Sequence, residues 1–166
     1  YGRFPLEVFL DDFLTPLLKL VGQLWAAGSL SIEAEHFFSQ VVQEKLILYE
    51  KDFVPKKDKG GLLLTTPPGE LHCLGLLMAN LKFLNQGYNV YCLGTQTPIF
   101  NVAQIAKKEG LKIVGIGVSE AFPISKAQSY IQSLREVLPA ETEIWLGGSG
   151  AKNLPISRLK NVKNLS

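Results

Sequence analysis

The sequence of 166 residues predicts an α/β protein in two parts, a partial helical bundle followed by an open parallel sheet covered by helices. Three observations predict this fold. Apolar residues recur at three-and-four spacing up to residue 52, short apolar runs alternate with helical patterns from residue 61 onwards, and a charged stretch with Pro and Gly separates the two parts. The predicted domains are therefore a helical cap at 1–52, a linker at 53–60 and a sheet domain at 61–166.

The composition narrows the classes of function. Hydrophobic residues make up 46% of the chain, which is enough for a packed core, and the net charge of +2 gives no basic patch for nucleic acid. No apolar run reaches the roughly 20 residues of a membrane span, and the first residues have no signal-peptide layout. We therefore expect a cytoplasmic protein with no membrane contact, in which Cys73 and Cys92 are reduced.

The helical cap is predicted to contain two helices. The first covers residues 9–27 and is closed by Gly28, and the second begins at Ser31, a good N-cap, and continues to about Asp52. Two helices leave much of their apolar surface unpaired. We expect that surface to be buried against further helices upstream, against the second domain or against another chain.

Glu35 is unusual within the second helix. It precedes Phe38, Val42 and Leu46 by three, seven and eleven residues, which puts its carboxylate on the apolar face. A carboxylate in that position needs a partner, and the free amides of its own helical turn could supply one. His36 lies off this face and is compatible with a surface position.

The sheet domain is predicted to have a flavodoxin-like order, 2-1-3-4-5. In that order the chain reverses between the first and third strands, and ligands bind outside the carboxyl ends of the strands at this point. The predicted strands are 61–65, 90–93, 111–116 and 143–146, with a fifth near 161–166, and the predicted helices are 74–86, 98–109, 124–137 and a further one from Gly150.

Three loops meet at this reversal point, and the first of them carries Glu70 and His72. Their spacing lets the carboxylate accept the proton of one imidazole nitrogen and leave the other nitrogen free to bind a metal. A bare zinc ion needs three or four ligands, so a lone histidine suits a metal already held by a macrocycle. The alternative is that His72 only completes the loop.

The other two loops are rich in small residues, Gly117-Val118-Ser119 and Gly147-Gly148-Ser149-Gly150. Glycine lets a ligand approach the backbone closely, and Ser119 offers a hydroxyl group to a buried polar atom. Each glycine alone is also compatible with an ordinary turn. The convergence of these loops with His72 favours a ligand site.

The pattern Glu70-x-His72-x-x-Gly75, followed by Ser119 and then by Gly147-Gly148, resembles the motif set of cobalamin-binding Rossmann-like domains. The resemblance implies that these residues bind cobalamin. It further implies that His72 is the axial ligand to cobalt and displaces the dimethylbenzimidazole of the cofactor, whose tail then enters the protein.

The helical cap carries a second resemblance. Trp25, nine intervening residues and then Glu35-His36 resemble the Trp-x9-Glu-His motif of the MerR-family, CarH-like B12-dependent transcriptional regulators. This implies that Trp25, Glu35 and His36 contact an upper adenosyl group, so that adenosylcobalamin is the expected cofactor. It also implies that DNA is bound through a winged-helix domain upstream of these residues. The photoreceptor form of the family has a second histidine where this chain has Ala26.

Together the residues and the resemblance predict a non-enzymatic sensor. Cobalamin, in the state set by its upper ligand or by light, would shift the homo-oligomerisation and the DNA binding of a transcriptional regulator. Two alternatives stay open. One is a corrinoid carrier module of a methyltransferase system, and the other is a cofactor-independent oligomerisation module of the same fold.

Overall fold

The computed structural model describes residues 5–51, 59–157 and 159–166. The chain divides into two compact units, Tyr1–Val54 and Pro55–Ser166. Of the predicted linker at 53–60, only Lys59 and Gly60 are described, and residues 53–58 lie outside the described residues.

The first helix, α1, has three consecutive pieces: Leu6–Val8 is α-helical, Phe9–Leu14 is π-helical and Thr15–Ala26 is α-helical. It begins three residues before the predicted start, and Gly28, with φ of +70°, follows its end as predicted. Pro16 has no backbone N–H, so the backbone hydrogen-bond ladder of this helix lacks one donor just after the widened π-helical segment.

The second helix, α2, covers Ile32–Lys51. The Oγ of Ser31 accepts the backbone N–H of Ala34 at 3.4 Å, as the predicted N-cap requires. Leu46 is buried within this unit, but many other large apolar side chains of the two helices are exposed. Those exposed by half or more are Phe13, Leu20, Trp25, Ile32, Phe37 and Leu48. The helical unit thus carries exposed apolar surface, as the sequence predicts.

The second unit is a five-stranded parallel sheet with the order β2-β1-β3-β4-β5, which confirms the predicted fold class and strand order. The strands are β1 Gly61–Thr65, β2 Asn89–Cys92, β3 Ile113–Gly117, β4 Glu143–Gly147 and β5 Val162–Asn164, and the helices are α3 Leu74–Gln86, α4 Ile99–Lys108 and α5 Ile124–Val137. The described helices include none long and apolar enough to cross a membrane.

The two faces of the sheet are covered differently. Alternate residues of a strand point to opposite faces, so Leu63 contributes to one apolar cluster with α4 and α5, while Leu62 and Leu64 contribute to another with Leu76 of α3. The loops of interest begin at the carboxyl ends of β1, β3 and β4.

The predicted helix from Gly150 is wrong. The chain forms only a short 3₁₀ helix, Ser149–Asn153, before β5. Pro155 follows closely, and a proline disfavours helical geometry in the residue before it, so the turn cannot lengthen into a regular helix.

Candidate functional site

The loop after β1 is tied to the sheet by its own polar atoms. The hydroxyl group of Thr66 donates to the backbone carbonyl of Glu70 at 2.9 Å and accepts the backbone N–H of Gln96 at 2.9 Å. The N–H of Glu70 donates to the carbonyl of Pro67 at 3.0 Å. These bonds hold Glu70 in a buried position at the end of the sheet.

The carboxylate of Glu70 holds His72 from two sides. Oε1 of Glu70 lies 2.7 Å from Nδ1 of the imidazole and accepts the backbone N–H of the same histidine at 3.0 Å. A neutral imidazole that donates from Nδ1 keeps Nε2 as an electron-pair donor. The His72 side chain is 64% exposed, and no other described residue hydrogen-bonds to Nε2.

Ser119, in the loop after β3, meets the other oxygen of the same carboxylate. Its N–H and its hydroxyl group donate to Oε2 of Glu70 at 2.8 and 2.7 Å, and its Oγ lies 3.1 Å from Nδ1 of His72. Two loops that are distant in sequence are thus joined at one buried carboxylate, which is the convergence that the strand order predicts.

This arrangement keeps Glu70 ionised. Burial raises the pKa of the carboxyl group, but hydrogen bonds from the backbone of His72, from the hydroxyl and backbone of Ser119 and from the His72 side chain outweigh it, so the pKa is lowered. An ionised Glu70 attracts the Nδ1 proton and so favours the tautomer with a bare Nε2.

The glycines of the site play different roles. Gly148 has φ of +92°, and a Cβ there would lie 2.3 Å from the carbonyl oxygen of Val118. A Cβ on Gly150 would lie 2.1 Å from the carbonyl oxygen of Ser119. The close approach at these two positions is therefore made by the chain's own backbone. A Cβ on Gly75 or Gly147 would meet nothing within 4 Å, so the structure has free space there.

Beside His72 lies an open cleft of about 140 Å³. It is lined by Gly69, Glu70, Leu71, His72, Ala121, Phe122, Pro123 and Lys126. Phe122 and Lys126 were not predicted from the sequence, since a residue near the start of a helix has no local signal for facing a distant loop. Thr66 was also missed, although a polar residue that ends a buried strand is such a signal.

The remaining predicted residues, Trp25, Glu35 and His36, belong to the helical unit. Trp25 is 50% exposed and His36 is exposed, while Glu35 is partly buried. Oε1 of Glu35 accepts the hydroxyl group of Ser39 at 2.6 Å, and its Oε2 lies 3.7 Å from Nε2 of His36. The hydroxyl group one turn ahead, rather than the amides of the first turn, is the partner of this carboxylate.

In the described part of the chain no three His, Cys, Asp or Glu side chains cluster to hold a metal ion. The site instead presents one exposed imidazole backed by a buried carboxylate at the switch point of a parallel sheet. Fold and site together define an α/β domain of the Rossmann-like class. The structure of the monomethylamine corrinoid protein of Methanosarcina barkeri shares the fold, with a TM-score of 0.77 at 17% identity over 97% of this chain and 78% of that one.

Residues 3–50 match the profile of the B12 binding domain family. The chain is also 30% identical over 149 residues to the HTH-type transcriptional repressor CarH of Myxococcus xanthus, covering 90% of this chain and 49% of the repressor. It is 25% identical over 172 residues to methionine synthase of Mycobacterium leprae, covering 82% of this chain and 14% of that enzyme. The chain thus spans half or less of these relatives.

Proposed function

We propose that this chain binds cobalamin through His72 and serves as the sensing part of a transcriptional regulator. The observation that carries the proposal is the exposed imidazole whose Nδ1 lies 2.7 Å from the buried carboxylate of Glu70. A histidine backed in this way is a typical metal ligand, and a macrocycle that already holds its metal needs only one.

The surroundings of His72 fit such a cofactor. None of the described residues hydrogen-bonds to Nε2, and a Cβ on Gly75 or Gly147 would meet nothing within 4 Å. A flat macrocycle and its tail need open space of this kind beside the ligand. When bound, cobalamin supplies a cobalt centre whose upper ligand differs between forms of the cofactor, and that difference is the proposed signal.

The other predicted site residues have separate roles in the proposal. Glu70 and Ser119 orient His72 and keep the proton on Nδ1, while Gly147 and Gly148 belong to the loop that borders the cofactor. In the helical unit, Trp25, Glu35 and His36 would contact the adenosyl group. The match of residues 3–50 to the B12 binding domain family and the similarity to a repressor support this assignment.

The proposed output is a change of assembly and not catalysis. A cofactor that binds one oligomer better than another stabilises it by the difference in affinity, so adenosylcobalamin would shift the population of the assembly. The exposed apolar side chains of α1 and α2 are available to a second copy of the chain. DNA would be bound through a winged-helix domain outside these 166 residues.

A second candidate is a corrinoid module that carries a methyl group to or from an enzyme. The match to methionine synthase over 82% of this chain favours it. The two candidates differ in the upper ligand that they prefer, because a methyl carrier must expose a small group whereas the polar pair Glu35-His36 suits a larger polar one. Affinity for methylcobalamin above that for adenosylcobalamin would favour the carrier.

The test is a titration of the chain with adenosyl-, methyl- and hydroxocobalamin, followed by visible spectroscopy and sedimentation velocity. We expect the spectrum of a cobalamin whose lower ligand is histidine, and a shift in sedimentation with the adenosyl form. His72→Ala should remove the histidine signature. His36→Ala, which replaces the other histidine of the sequence, should keep it. An unchanged spectrum in His72→Ala would refute the assignment.

A further inference from the structure

The face of the sheet that carries α3 has a bare patch on β3 and β4. Trp145 packs with α3 on this face, and residues two apart on a strand point the same way, so Gly147 also faces α3. Gly117 is paired with Gly147 in the sheet. Neither position carries a side chain, and the patch reaches the carboxyl ends of the strands, where His72 and Ser119 lie.

The patch borders open space, which we call the groove. A Cβ on Gly147 would meet nothing within 4 Å. One on Gly117 would make only ordinary contacts, with methyl groups of Thr66 and Leu76 at 3.5 and 3.8 Å and with the carbonyl oxygen of Thr65 at 3.8 Å. The groove is therefore open at the rim and bounded on one side by Leu76 of α3. Trp145 lies two residues further down β4 on the same face, with its Cα about 7 Å from that of Gly147.

The indole of Trp145 is held on several sides. Its ring centroid lies 5.8 Å from that of Phe83 and 6.0 Å from that of Tyr88. Its Nε1–H donates to Oε2 of Glu143 at 2.6 Å, and Nζ of Lys163 holds both oxygens of that carboxylate at 2.7 and 2.8 Å. The indole N–H is thus already used, and the ring offers the groove aromatic surface without a hydrogen-bond donor.

We infer that Trp145 is the floor of this groove and selects the lower base at the end of the corrinoid tail. The inference rests on the proposed function, in which His72 displaces that base from cobalt. An aromatic floor without a donor suits an apolar benzimidazole. A purine base such as adenine would bury polar edge atoms against the indole, which offers them no partner, and such burial is unfavourable.

The inference is tested with three corrinoids in their aquo forms: cobalamin, its analogue with adenine as lower base, and cobinamide, which has no nucleotide tail. The wild-type chain should bind cobalamin more tightly than the adenine analogue. Trp145→Ala should weaken cobalamin binding about tenfold, the size of a lost aromatic contact, and leave cobinamide binding unchanged. Trp145→Phe, which keeps a ring, should recover most of the loss.

Phe100→Ala is the matched control, because Phe100 is 75% exposed on α4 and borders no part of the groove. Melting curves of each variant without cofactor report folding separately. If Trp145→Ala lowered the affinities for cobalamin and cobinamide equally, or lowered neither, the inference would be overturned. The proposed function would still stand if the spectrum showed a histidine ligand on cobalt. Absence of that spectrum in the wild-type chain would overturn both.

Discussion

At the scale of single residues, the buried carboxylate of Glu70 organises the site. It accepts four hydrogen bonds, two from His72 and two from Ser119, and each of its oxygens serves a different loop. A buried carboxylate without such bonds would be strongly unfavourable, so the same contacts stabilise the fold and orient the imidazole. The proposed function and the stability of the fold therefore depend on the same contacts of this residue.

Replacing Glu70 by Gln should separate these roles. The amide keeps the shape but loses the charge that attracts the Nδ1 proton, so cobalamin affinity should fall by roughly 10 to 100-fold, less than in His72→Ala. The measurement is a spectroscopic titration of the three proteins. Glu136→Gln, an exposed position on α5, should bind like wild type. If Glu70→Gln bound cobalamin as tightly as the wild type, Glu70 would have a role in the loop structure only.

The lowered pKa of Glu70 also predicts a pH dependence of stability. In the unfolded chain the group has its ordinary pKa of 4.5, and in the folded chain the pKa is lower. Its contribution to the free energy of unfolding is then fully present above 4.5 and is lost as the pH falls from there through the folded value.

Urea unfolding of the cofactor-free chain between pH 6 and pH 3 checks this dependence. The wild type should lose stability more steeply towards acid than Glu70→Gln, which has no titrating group at this position. Parallel curves for the two proteins would show that Glu70 has the same pKa folded and unfolded.

At the scale of the elements, the loop after β4 shows how neighbouring glycines of one motif differ. Gly148 has a positive φ and faces the carbonyl group of Val118, so any side chain there is strained and collides with backbone. Gly147 lies in β4 beside open space. The motif therefore combines a glycine required by folding with one that folding does not require.

Gly148→Ala and Gly147→Ala form a matched pair. The first should lower the free energy of unfolding by more than about 1 kcal/mol, because the positive φ and the collision act together. The second should change the melting temperature little but weaken cobalamin binding, because its methyl group enters the groove. Melting curves of both variants measure the effect on stability, and titrations with cobalamin measure the effect on affinity. Strong destabilisation by Gly147→Ala, or none by Gly148→Ala, would contradict this division.

At the scale of the whole molecule, the proposed function requires the helical unit to respond to the upper ligand of the cofactor. The exposed apolar side chains of α1 and α2 and the partly buried Glu35 are the features of the helical unit that its own packing leaves unexplained. Ser39 satisfies one oxygen of Glu35, and the other lies 3.7 Å from Nε2 of His36. That second oxygen remains able to accept a hydrogen bond from a bound ligand.

Glu35→Gln should therefore lower the affinity for adenosylcobalamin and leave that for hydroxocobalamin nearly unchanged. Glu33→Gln is the control, since Glu33 lies in the same helical turn but is exposed. Titration of the three proteins with both cobalamins gives the comparison. Equal losses for both forms in Glu35→Gln would mean that Glu35 supports the helix and does not sense the adenosyl group.

Local patterns in the sequence determined the elements, because helix and strand periods, caps and breakers act within a few residues. They predicted β1, α3 and α5 with the observed bounds, and the switch-point rule for parallel sheets then brought Glu70 and Ser119 together across 49 positions. The rule uses only strand order, and the flavodoxin-like order predicted from the alternation of strands and helices is the observed one.

Only the tertiary structure decided which groups meet at short range. That Gly148 serves the packing of two loops, that Ser39 holds Glu35 and that Trp145 packs against Phe83 all depend on the distance between backbones far apart in sequence. A residue type says what a side chain can do, but a shift of an ångström in a neighbouring strand or loop decides whether it meets a carbonyl group, a ring or open space. The sequence therefore predicted which side chains could take part in a site, whereas only the structure showed what surrounds each of them.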